Sequence, residues 1–85
     1  MLERMLHWVY ILKNSQGVLK VALSDDIGKL LSVMKPDEQI VYLRLFKYPF
    51  DALAHKHLLG ALSRKSVLFH IKQYEKETKK LLDLL

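Results

Sequence analysis

The 85-residue chain has no cysteine, only three glycines and two prolines, and no apolar run of the roughly 18 residues needed to cross a bilayer. Without cysteine the chain has no disulfide and no thiolate metal site, and nothing favours a secreted scaffold. Its first residues, with Glu3 beside Arg4 and no small-residue cleavage site, do not predict a signal peptide. We therefore expect one small cytoplasmic domain over residues 1–85, without contact to a membrane.

Positive charge is concentrated in the last third of the chain. The formal net charge is +5, and residues 55–85 hold seven Lys or Arg against three Asp or Glu. A basic surface attracts nucleic-acid phosphates because binding releases their counterions, so DNA or RNA is an expected partner. The alternative is that these side chains form an ordinary solvated helix face.

Turn residues and apolar periodicity divide the chain into six elements. The polar turn Asn14-Ser15-Gln16-Gly17 joins two apolar runs, which predicts a hairpin. Ser24-Asp25-Asp26 offers an N-cap for a helix that stops before Pro36. We expect an α/β (α+β) domain with a three-stranded antiparallel sheet flanked by helices, in the order β-β-α-β-α-α. The predicted strands cover residues 7–12, 18–23 and 39–47, and the predicted helices cover residues 27–34, 52–59 and about 64–85.

The last predicted helix carries an apolar stripe in which steps of four and three residues alternate, the a/d pattern of a coiled coil. In one interpretation the stripe packs only on the sheet, as an amphipathic helix of a small domain does. In the other, its second half extends past the core and forms a homodimer or docks on a partner protein. The stripe consists of Val67, Ile71, Tyr74, Thr78, Leu81 and Leu85.

Short segments between residue 7 and about residue 71 form a pattern of their own. The first are Trp8-Val9-Tyr10, the turn glycine Gly17 and Leu19-Lys20-Val21-Ala22-Leu23-Ser24. The later ones are Asp26-Ile27-Gly28-Lys29-Leu30-Leu31, Asp51-Ala52-Leu53-Ala54-His55-Lys56 and Ser63-Arg64-Lys65. In their order and spacing these segments resemble the small stand-alone members of the GIY-YIG nuclease family.

The resemblance implies the fold of that family without its activity. In the family a tyrosine assists the attacking water, an arginine stabilises the phosphate charge and a glutamate holds a divalent metal. Tyr10 keeps one tyrosine position, but Lys20, Leu30 and Lys56 stand at the second tyrosine, the arginine and the glutamate, and Met34 lies near a histidine position. Because a lysine repels a metal cation and a leucine carries no charge, we expect no catalytic residue, no metal and no cofactor.

The altered positions suggest binding in place of hydrolysis. The resemblance implies that Lys20 and Lys56 face one concave surface, where two ammonium groups favour a bound anion. Alternatively, the lysines extend to water, or rearranged residues still give an active endonuclease. A protein-interaction module based on the stripe is the rival hypothesis. The predicted nucleic-acid-binding residues are Lys20, Lys56, Arg64, Lys65 and Lys72.

The histidines do not predict a metal site. His55 and His57 lie two residues apart on a predicted helix, so they point to different sides. We expect structural or solvent-facing roles for them and for His7 and His70, and we expect Trp8 in the core.

Overall fold

The computed structural model describes residues 7–85, which form the predicted three-stranded antiparallel sheet. The strands are β1 (His7–Lys13), β2 (Leu19–Ser24) and β3 (Gln39–Phe46), and the helices are α1 (Ile27–Val33), α2 (Pro49–Ala61), α3 (Arg64–Gln73) and α4 (Glu75–Asp83). The order is therefore β-β-α-β-α-α-α, with one helix more than predicted. In the sheet, β1 lies between β2 and β3. Residues 1–6 of the predicted domain lie outside the described residues.

The sheet separates two apolar clusters. Trp8, Tyr10 and Leu12 of β1 point to a first face, where they pack against α1 and α4. Val9 and Ile11 point to a second face, where they pack against α2 and α3. This alternation follows the two-residue period of a strand. Because helices cover both faces, five consecutive residues of β1 are buried, which explains its continuous apolar sequence.

The hairpin between β1 and β2 turns at Gly17, whose φ of 81° lies in the left-handed region. Asn14 supports the turn, because its side-chain oxygen accepts the backbone N–H groups of Gln16 and Val18 at 2.9 and 3.0 Å. Glycine suits this position because a Cβ disfavours positive φ. The predicted hairpin is therefore confirmed at its turn residues.

The helix expected over residues 64–85 is divided at Tyr74, which corrects the sequence prediction. Tyr74 has φ −104° and ψ 17°, outside the usual helical range. Before it α3 packs on the second face, whereas α4 packs along β3 and on the first face. The Thr78 hydroxyl oxygen accepts the backbone N–H of Leu43 at 3.2 Å. Since an edge strand otherwise exposes unpaired backbone groups, α4 covers the outer edge of β3.

The predicted coiled-coil stripe is used within the domain. Its first five members, Val67, Ile71, Tyr74, Thr78 and Leu81, are buried or half-buried in the chain's own packing. Leu85 is 49% exposed. Because the break at Tyr74 directs the two halves to different faces, the stripe is not a continuous surface for a coiled-coil homodimer. Core packing is the interpretation that the fold favours.

Helix α2 differs from the prediction at both ends. It begins at Pro49. The fixed φ of proline suits a helix, and its missing backbone N–H would have no partner in the first turn. The helix continues through Gly60 to Ala61, two residues past the predicted end at Leu59. Gly60 does not have a positive φ, so it is an ordinary helical residue here.

Candidate nucleic-acid interface

A cavity of about 200 Å³ opens on the first face beside Tyr10. Lys20 of β2, Leu30 of α1 and Met34 at the end of α1 also line it. Lys20 pairs with Leu12, and residues directly opposite each other on antiparallel strands share a face. The positions that the resemblance assigns to two tyrosines, an arginine and a histidine therefore lie around one cavity.

The start of α1 places Leu30 in this cavity. Asp26 caps the helix, and its Oδ1 accepts the backbone N–H of Lys29 at 3.1 Å. Ser24 holds the turn before the helix, because its hydroxyl accepts the N–H of Asp26 at 3.0 Å. The cap turns the chain directly from β2 into α1, so Leu30 is buried against β1.

The chemistry of the cavity does not suit base catalysis. Burial, and secondarily the negative charge of Glu38, raises the pKa of the Tyr10 hydroxyl above its ordinary value. A raised pKa leaves less of the phenolate, the form that accepts a proton, at neutral pH. Leu30 supplies only apolar contacts where a cation would have to stabilise phosphate charge. In residues 7–85, no three His, Cys, Asp or Glu side chains converge to hold a metal.

Two further residues of the cavity were not predicted from the sequence. Lys35 and Glu38 line its mouth, and the Glu38 side chain accepts the backbone N–H of Lys35 at 2.9 Å. The cavity therefore has two ammonium groups, Lys20 and Lys35, and one carboxylate. The sequence shows these residues only as a polar turn before β3. Their position depends on how α1 returns the chain to the sheet.

Lys56 does not line this cavity, which corrects the expectation that it shares a concave surface with Lys20. Helix α2 contributes Ala52 and Leu59 to the cluster on the second face. The sheet therefore separates α2, which carries Lys56, from the first face, to which Lys20 points. Lys56 is half-buried on that helix.

Cationic residues lie on the elements that meet at the hairpin end of the sheet. Arg64 Nη2 donates to the carbonyl oxygen of Gly17 at 2.9 Å, although the two residues lie 47 positions apart. Lys20 follows three residues after Gly17, and Lys13 ends the paired strand β1. All of these cationic side chains are exposed. We call this end of the sheet the basic end; its cations are Lys13, Lys20, Arg64 and Lys65, of which Lys20 alone lies on the first face.

Other charges lie near the basic end or outside it. The Ser15 hydroxyl donates to Asp37 at 3.1 Å, so one carboxylate reaches the hairpin turn. The predicted residue Lys72 lies about two turns further along α3 and is exposed. The start of α3, with Arg64 and Lys65, therefore lies at the hairpin end of the sheet on the second face, whereas Lys20 projects from the same end on the first face, and Lys56 and Lys72 lie elsewhere. Lys13 pairs with Leu19 and so lies on the second face at this end of the sheet.

His55 has the structural role that the sequence predicted. Its Nε2 lies 2.7 Å from the hydroxyl oxygen of Tyr42, which is fully buried. Burial, together with the charges of Arg44 and His70, lowers the pKa of His55 below its ordinary value. The pair joins α2 to β3 inside the second face, so it contributes to packing and not to the basic end.

Comparisons of this chain with protein-family models, curated proteins and solved structures each found no match. Among residues 7–85, no helix combines the length and the apolar composition needed to cross a bilayer.

Proposed function

We propose that this domain is a catalytically inactive GIY-YIG-like module that binds DNA or RNA at its basic end. The observation that carries the proposal is the contact between Arg64 and the hairpin turn. It holds the start of α3 at the hairpin end of the sheet, the end from which Lys20 projects on the other face, and this arrangement supports a basic surface around that end. A loop carbonyl holds Arg64 through only one of its five N–H donors, so the others can meet a phosphate.

Counterion release would supply the binding energy. The basic end has four exposed cations against two nearby carboxylates, Asp37 and Glu38, and each phosphate that the cations neutralise steepens the salt dependence by about 0.9 in a log–log plot. We therefore expect a slope of about −3 to −4 for duplex DNA if all four cations make contact. A patch of this size has no base-reading element, so we expect affinity for backbone more than for sequence.

The Tyr10 cavity supports the absence of hydrolysis. Tyr10 is held protonated, Leu30 offers no charge, and Lys20 replaces the second tyrosine beside them. Lys20 and Lys35 at its mouth can attract a phosphate. Without a positioned base and a cation beside the reacting phosphorus, binding would not lead to cleavage.

Charge reversal at the two ends of the sheet tests this proposal. Lys20→Glu changes the basic end, whereas Lys47→Glu makes the same charge change just after Phe46, which pairs with His7 at the opposite end of β1. We expect Lys20→Glu to weaken binding of labelled duplex DNA, single-stranded DNA or RNA by about tenfold or more, and Lys47→Glu by less than about threefold. Fluorescence anisotropy at low salt measures both. Equal effects of the two variants, or no binding to any of the three nucleic acids, would refute the proposal.

A further inference from the structure

The two outer edges of the sheet differ in whether another part of the described chain covers them. Helix α4 covers β3, and Thr78 accepts the outward N–H of Leu43. No other strand among residues 7–85 pairs with the outer edge of β2. This edge runs from Leu19 to Ser24 without a proline or a bulge, two of the features that commonly protect an edge from pairing.

The register of the hairpin shows which backbone groups point outward from β2. The N–H of Asn14 donates to the carbonyl of Val18 at 3.2 Å, and hydrogen-bonded pairs alternate along an antiparallel ladder. Lys20, Ala22 and Ser24 therefore bond to β1. The N–H and C=O groups of Leu19, Val21 and Leu23 point away from it, and they have no hydrogen bond outside the sheet to another described residue.

The outward N–H and C=O groups of β2 are complementary to the same groups of a second copy of β2. If two β2 strands meet antiparallel around a two-fold axis at Val21, then Leu19 faces Leu23 of the second copy and Val21 faces Val21. Every outward N–H and C=O of both strands then pairs. Lys20 faces Ala22 in this register, so the two lysines do not oppose each other.

The charges at the ends of β2 agree with the same register. Continuing the pairing by two residues places Asp25 of one copy opposite Gly17 of the other. Gly17 is the residue whose carbonyl holds Arg64. The exposed carboxylate of Asp25 therefore comes beside the exposed guanidinium of Arg64, and the two-fold axis repeats this contact.

A groove on the second face offers room for the side chains of the second copy. It has a volume of about 420 Å³ and lies between β2, α2 and α3, with Leu19, Val21, Leu59 and Val67 among its lining residues. A Cβ added at Gly60, which also lines it, would meet no atom within 4 Å. Leu19, Val21 and Leu23 are only half-buried in one copy. Their counterparts in a second copy lie on the same face and would cover them.

We propose that two copies of this domain pair through their β2 strands, forming one continuous six-stranded sheet with two Arg64–Asp25 contacts. The occupant of the edge is a second copy, because β2 and the residue that follows it supply the apolar residues, the outward backbone groups and the carboxylate in the required order. This pairing does not depend on nucleic-acid binding. It differs from the coiled-coil dimer expected from the sequence, since it uses the opposite edge of the sheet.

Complementary charge variants test the pairing. In Asp25→Arg both contacts between identical copies join two arginines, and in Arg64→Asp both join two aspartates. We expect either variant to raise the dimer dissociation constant by about tenfold or more. An equimolar mixture restores dimers, because each contact then joins opposite charges. Sedimentation velocity of the wild type, each variant and the mixture measures this. A monomeric wild type up to about 1 mM, the concentration scale of a weak contact, or a mixture no more dimeric than its components, would overturn the proposal.

Amide hydrogen exchange provides a readout that does not depend on these substitutions. The N–H groups of Leu19, Val21 and Leu23 should exchange at least about tenfold more slowly at dimer-forming concentration than at high dilution. The N–H groups of Lys20 and Ala22 already bond to β1, so their exchange rates should change little. Slow exchange of the outward amides at high dilution would mean that a segment of the same chain occupies the edge, and this too would overturn the proposal.

Discussion

The covered edge of β3 rests on one buried hydrogen bond that can be removed without changing shape. Thr78 is 4% exposed and Leu43 is fully buried, and the threonine hydroxyl accepts the leucine N–H. Thr78→Val keeps the volume but leaves that N–H unpaired away from water. An unsatisfied buried donor costs about 1–3 kcal/mol. For a domain of this size, that loss lowers the melting temperature by about 4 to 24 °C.

Urea unfolding followed by circular dichroism measures the loss of stability in Thr78→Val, with Thr78→Ser as the matched control. Serine keeps the acceptor and removes one methyl group, which costs about 1 kcal/mol. The Leu43 amide should exchange about fivefold to 150-fold faster in the valine variant, but near the wild-type rate in the serine variant. If Thr78→Val is as stable as the wild type and its Leu43 amide remains slow, α4 does not close this edge.

Further predictions concern the histidine–tyrosine pair and the hairpin. The pKa of His55 is lowered in the folded chain, so the unfolded chain takes up the proton first as the pH falls. Its contribution to stability is complete above about pH 6.5 and decreases below it. Urea midpoints at pH 7.5 and 5.5 should therefore differ more in the wild type than in His55→Gln, and an equal difference would contradict this. Gly17→Ala should lower the free energy of unfolding by about 1–2 kcal/mol because of its positive φ; an unchanged urea midpoint would contradict that.

The local parts of the fold were predictable because local chemistry determines them. Asn14 and Gly17 determine the hairpin, and Asp26 determines the start of α1. Each of these residues acts on backbone only a few positions away in the sequence. The break at Tyr74 was not predictable. Residues 64–85 contain no proline or glycine, so local propensity favours one long helix. The division instead follows from the tertiary need to pack α3 on the second face and to cover β3 with α4.

Part of the geometry around the candidate site follows from local structure, and part depends on tertiary packing. The resemblance assigns family positions to Tyr10, Lys20 and Leu30, and strand pairing with a short capped connection places these three residues around one cavity. It misplaced Lys56, whose position depends on which face of the sheet α2 covers. Arg64 was selected only for its charge, whereas its position beside Gly17 comes from the packing of α3. Whether the chain belongs to the GIY-YIG family remains a prediction.

Binding without cleavage is the central claim, and one experiment measures both parts together. Labelled branched, duplex and single-stranded DNA, and labelled RNA, are incubated with the domain and magnesium or manganese, and each sample is read by anisotropy and then on a denaturing gel. We predict binding that weakens with salt, a slope reduced by about one in Arg64→Gln, and intact strands throughout. Absence of salt-sensitive binding, or strand cleavage that disappears in Tyr10→Phe, would contradict the claim.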